Sequence, residues 1–127
     1  AGKVTNNGII LLNKSQSVQR QRFTVMHELG HYLLGHVGSD PRFRDSGRTE
    51  EEQEADRFAV GCLMPACVLW ALHATTAKEI AALCNVSMQA AEIRSRRMQI
   101  LLARNKFLTH PLERQVFEQF QQFINNQ

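Results

Sequence analysis

The stretch Arg22-Phe23-Thr24-Val25-Met26-His27-Glu28-Leu29-Gly30-His31-Tyr32-Leu33-Leu34 decides how this chain is read. Its apolar residues recur at helical spacing. A helix is therefore expected from Arg22 to about His36, with Val25, Met26, Leu29, Tyr32 and Leu33 on the core-facing side. His27 and His31 are four residues apart and share one helix face, where two imidazoles can meet a single metal ion. Glu28 lies about 100° around the helix from His27, beside such an ion and not on it. From there it can take a proton from a water, the general-base role this motif supports. With Leu29 turned to the core, both histidines are expected to point the opposite way. The chain has five histidines and nine glutamates among 127 residues. A shuffled chain of that composition shows His-Glu-x-x-His about 1% of the time, too seldom for coincidence to be the better explanation.

A catalytic zinc site takes a third protein ligand and keeps one position open. His36 is the nearest candidate, but the extended pattern His-Glu-x-x-His-x-x-Gly-x-x-His wants Gly at 34 and His at 37, where this chain has Leu34 and Val37. His36 also falls on the Leu29 side of the helix, so it is expected at the helix end or surface. The other candidate is the acidic start of a second helix, Thr49-Glu50-Glu51-Glu52-Gln53-Glu54-Ala55-Asp56. Acidic residues favour a helix N-terminus through its dipole, which explains several glutamates but not Asp56 within the helix. Relative to the apolar stripe Ala55, Phe58, Ala59, Cys62 and Leu63, the side chains of Glu51 and Glu52 fall inward, whereas Glu50 and Glu54 point away. Asp56 follows Glu52 by one turn on the same side. That pairing supplies one ligand oxygen and one acceptor for the free N–H of a ligand histidine. Glu52 is the expected third ligand, with Glu51 as the alternative; two histidines and a glutamate are a known catalytic zinc set.

Around this centre the chain reads as a small α+β domain, mostly helical, with a short sheet near the N-terminus. Ala1 to Asn7 reads as a frayed start, Ile9 to Asn13 as a strand, Lys14 to Arg20 as a polar turn and Gly35 to Thr49 as loop. Further helices are expected from Glu50 to Leu63, Ala66 to Leu72, Ala77 to Cys84, Ser87 to about Leu102, and from Thr109 onward. The 127 residues suit one domain, and 43% hydrophobic with 21% charged residues is a globular composition. Three cysteines without Cys-x-x-Cys argue against a disulfide framework and for a reduced, cytoplasmic setting. The net charge of +3 permits contact with nucleic acid without demanding it. No apolar run reaches membrane-spanning length.

Three blocks together carry a resemblance: Arg22 to Leu34, Glu52-Gln53-Glu54-Ala55-Asp56-Arg57-Phe58-Ala59, and Leu63-Met64-Pro65. In this order and spacing they resemble the ImmA/IrrE family of metallo-endopeptidases, with coverage from about Gly8 to about Leu102. The resemblance implies a zincin-like fold around a central His-Glu-x-x-His helix and a zinc-dependent, gluzincin-like peptidase. Carried over by position, His27, His31 and Glu52 hold the zinc, Glu28 is the general base, and Asp56 supports a ligand from behind. Asp56 stands where many members carry Asn, and either side chain accepts a hydrogen bond. The implied substrate is a helix-turn-helix repressor, cleaved by a cytoplasmic regulator of a phage or mobile element. Members usually carry a further helical segment ahead of the strand, so this chain is expected to be a fragment or a short variant.

A competing reading is a DNA-binding or repressor-binding module without proteolysis. Residues 76–102 have the outline of a helix-turn-helix, with Arg94, Arg96 and Arg97 in the second helix. Only Gln89 near its start suits a bidentate base contact, so direct nucleic-acid binding is not expected. Cys62 and Cys67 are expected in the core and His73 and His110 at helix ends. The stripe Phe117, Phe120, Phe123 and Ile124 is expected to be core, or else a partner surface.

Overall fold

Side-chain caps open four of the helices in the computed structural model, which describes residues 3–4, 8–36 and 50–127. The loop expected from Gly35 to Thr49 lies outside the described residues from position 37 onward. The described chain is mostly helical, with one small sheet. It gathers into two compact units, Ala1–Leu63 and Met64–Gln127.

In the first unit, strand β1 (Lys3–Val4) pairs antiparallel with β2 (Ile10–Leu11), Lys3 opposite Leu11 and Val4 opposite Ile10. A strand thus stands where a frayed start was expected. Asn13 Oδ1 accepts from the Ser15 N–H at 2.9 Å and the Ser15 hydroxyl at 2.6 Å, an Asx turn leading out of β2. Helix α1 (Val18–Leu33) follows, one turn earlier than the apolar pattern implies. Ser17 is extended, and its Oγ accepts from the Arg20 N–H at 3.2 Å. The first turn of α1 is polar, so hydrophobic periodicity could not reveal it.

Helix α2 (Glu50–Leu63) packs along α1, and both strands also contact α1. The buried residues of α1 are Thr24, Glu28, Gly30 and His31, whereas Tyr32 is 54% and Leu33 60% exposed. The expected core side is thus only partly covered, with Val25, Met26 and Leu29 half-buried, and the histidine-bearing side of α1 is inside as well. Gly30 explains how. A Cβ there would sit 3.0 Å from Phe58 Cδ1 and 3.2 Å from Phe58 Cβ, so the bare backbone lets α2 approach closely. Ala55 and Ala59 supply the small buried face of α2, while Cys62, expected in the core, is exposed.

The second unit contains α3 (Ala66–Ala71), α4 (Ala77–Cys84), α5 (Met88–Arg104), α6 (Pro111–Gln119) and α7 (Gln121–Asn125). Met64, Leu69, Ile80 and Met98 are its largest fully buried side chains. Thr76 caps α4 and Ser87 caps α5 through their hydroxyl oxygens, as the sequence predicts. His110, one residue after the expected Thr109, caps α6 by accepting from the Leu112 N–H. Trp70 of α3 stacks on Phe107 with ring centroids 5.0 Å apart. The phenylalanine stripe is not core: Phe120 is 36% and Phe123 41% exposed. Cys67 is buried, and burial together with the nearby Glu113 carboxylate pushes its thiol up, leaving it protonated and unreactive near neutral pH. No described helix is long and apolar enough to cross a membrane.

Candidate metal centre

Two successive turns of α1 and the first turn of α2 build the site within the first unit. His27 and His31 come from successive turns of α1, and Glu52 reaches them from the start of α2. His27 Nε2 lies 2.9 Å from Glu52 Oε2, His31 Nε2 lies 3.1 Å from Glu52 Oε1, and the two Nε2 atoms are 3.1 Å apart. Donor atoms of all three residues fall within 4.8 Å of one another, the one such group among the described residues. Glu51, the alternative ligand, is exposed and outside this group.

Hydrogen bonding on the far side of His27 determines what its near side offers. Asp56 Oδ1 lies 2.8 Å from His27 Nδ1. A carboxylate accepts, so Nδ1 donates to Asp56, and a His27 ring with that one hydrogen has Nε2 free to bind a metal ion. Nε2 and the Glu52 carboxylate converge, a contact that either a hydrogen on Nε2 or a cation between them satisfies. Two nitrogens bound tetrahedrally at 2.0–2.1 Å would be roughly 3.3 Å apart, close to the separation seen here. The donor set therefore fits a zinc-sized cation.

Glu28 is buried, 3% exposed, on the same side of α1 as Thr24 and His31. It is not among the converging donors. Asp56 lies against the Nδ1 side of His27, while Glu52 lies against its Nε2. His36 and Glu54 do not stand where the sequence places them. Glu54 was expected to point away and His36 to sit on the surface, yet His36 Nδ1 is 2.9 Å from His31 Nδ1 and His36 Nε2 is 3.3 Å from Glu54 Oε2. The overlooked signal is Gly35, whose backbone lies in the left-handed region with φ +78° and turns the chain back beside α1.

The close helix approach at Gly30 yields a prediction. An exposed helix interior gains up to about 1 kcal/mol when Gly becomes Ala. Here a larger side chain must force α1 and α2 apart against Phe58. Gly30→Val is expected to lower stability by about 2 kcal/mol in denaturant unfolding and to weaken metal binding as Glu52 withdraws from the histidines. Unchanged stability and affinity would show that the helices do not need this contact.

The second helix of the 76–102 pair is less available than its charge implied. The Arg94 guanidinium donates to the Met64 carbonyl through Nε at 3.0 Å and Nη2 at 2.8 Å. Burial draws its pKa down, with the neighbouring Arg97 acting in the same direction. Arg96, Arg97 and Gln89 are exposed.

No curated protein and no solved structure matches this chain. Among protein families, residues 2–96 match Peptidase M78, described as the IrrE N-terminal-like domain. That match spans α1, α2 and the whole His27, His31 and Glu52 group, so the chain belongs to the Peptidase M78 family of metallopeptidases.

Proposed function

We propose that this protein is a zinc-dependent endopeptidase that cleaves a helix-turn-helix transcriptional repressor in the cytoplasm, as the regulatory protease of a phage or mobile element. The observation that carries the chemistry is the convergence of His27 and His31 of α1, the helix that also bears Glu28, with Glu52 of α2. The choice of a repressor as substrate rests on the ImmA/IrrE resemblance. The free thiols of Cys62, Cys67 and Cys84 suit a reducing compartment.

When bound, a zinc ion supplies Lewis acidity, acidifying a water and polarising the scissile carbonyl. His27 and His31 offer Nε2 and Glu52 its carboxylate, so one negative charge and two neutral rings make up the ligand set. Asp56 fixes the tautomer of His27 by accepting from Nδ1. Glu28 takes the proton of the attacking water and returns it to the leaving amine.

Co-expression with a helix-turn-helix repressor encoded beside it tests this reading. Discrete repressor fragments are expected with the parent chain and none after metal chelation. A repressor that stays intact in both cases overturns cleavage. If intact repressor remains bound to the chain, a binding module takes its place.

A further inference from the structure

The C-terminal end of α1 places a second imidazole directly behind His31. Leu34 caps the helix, Gly35 takes the left-handed conformation, and two backbone bonds close the turn. The Gly35 N–H reaches Tyr32 O at 3.4 Å and the His36 N–H reaches His31 O at 2.9 Å. These are the two bonds of a Schellman motif, which sets the residue after the glycine against the residue three positions inside the helix end. Those two positions usually hold apolar side chains in contact. Here they hold His36 and His31, with ring centroids 5.1 Å apart and Nδ1 atoms 2.9 Å apart.

The hydrogens of this chain can be assigned from its outer end. Glu54 is a carboxylate and accepts, so His36 Nε2 carries its hydrogen toward Glu54 Oε2. A neutral imidazole has one N–H, which leaves His36 Nδ1 as an acceptor. His31 Nδ1 is then the donor, and a neutral His31 ring, the form that binds a metal ion, has its lone pair on Nε2, which faces His27 and Glu52. His36 lies outside that group, with Nδ1 against His31 Nδ1 and Nε2 against Glu54. His36 and His31 side chains are 7% and 3% exposed, so water competes little for these bonds.

We propose that His36 is a positioning residue for His31: backed by Glu54, it holds the ring in the tautomer and orientation that present Nε2 to a metal ion. This rests on the metal-centre reading above and deepens it. Asp56 serves His27 directly, whereas the His31 side is served by a relay of two residues.

Zinc affinity of the full chain, measured by competition with a chromogenic chelator, tests the inference without reference to peptidase activity. His36→Ala is expected to weaken affinity about 10–100-fold, the usual effect of removing an outer hydrogen-bond partner. His36→Asn, whose Oδ1 can accept from Nδ1 of His31, is expected to restore most of that loss. Glu54→Ala, at a more exposed position, is expected to cause a smaller loss in the same direction. The visible bands of the cobalt(II)-loaded protein are expected to shift in His36→Ala and return toward the parent in His36→Asn. Parent-like affinity in His36→Ala, or an Asn variant as weak as the Ala variant, overturns the positioning role while leaving the metal centre standing. A parent that binds zinc no better than a His27→Ala control overturns both.

Discussion

Glu28→Gln is expected to reduce peptide hydrolysis by about 10²–10⁴-fold, the range that positioned proton transfer contributes, with the metal still bound. Glutamine matches glutamate in shape but cannot accept the proton of an attacking water or return it to an amine. Glu28 stands apart from the His27, His31 and Glu52 donors, so the substitution leaves the ligand set whole. The same separation makes the experiment decisive. Metal content and turnover of a repressor-derived substrate are measured on one preparation. Full turnover with Gln at position 28 would remove Glu28 from the mechanism, and loss of metal alongside turnover would instead make it part of the binding site.

The second large effect is expected at Glu52. Glu52→Ala removes one of three converging donors and the only negative charge among them. The two Nε2 atoms, 3.1 Å apart, then face one another without a counter-charge. Zinc affinity should fall by more than the 10–100-fold that loss of an outer partner costs. Thermal melts report the same quantity, because a ligand binding only the folded state stabilises it by about 2.7 kcal/mol at 100 times its Kd. The parent is expected to gain Tm on zinc addition and Glu52→Ala to gain little or none. Glu51→Ala, exposed one residue away, is the control and should behave as the parent. Equal losses at positions 51 and 52 would return the third ligand to the ambiguity that the sequence leaves open.

These residues differ in how visible they are before folding. The His27 and His31 pair is legible because a spacing of four fixes a shared helix face whatever surrounds it. Thr76 and Ser87 announce α4 and α5 because capping is a local bond between a hydroxyl oxygen and a nearby backbone N–H. Ser17 makes the same bond but precedes a polar turn, where no apolar period draws attention to it. Asp56 is foreseeable from its register with Glu52. Glu54 is not, since its partner His36 reaches it only after the Schellman turn at Gly35. The exposed Phe120 and Phe123 show the opposite failure, an apolar stripe with the right period but without burial.

The orientation of α1 marks the limit most clearly. Its apolar residues suggest a core side that includes Tyr32 and Leu33, yet these are exposed while Glu28 and His31 are buried. Periodicity registers only hydrophobicity, whereas the packing of α1 follows the gap at Gly30 and the ionic partners offered by α2. The sequence by itself determined most of the helices, the caps of α4 and α5, the histidine pair and the family blocks, because each depends on residues close together along the chain. The tertiary structure alone decided that Glu52 and not Glu51 meets the histidines, that α1 buries its polar side, and that His36 stands behind His31. Those outcomes depend on how closely α2 can approach and on where a left-handed glycine redirects the chain, which are distances in space that sequence spacing does not encode.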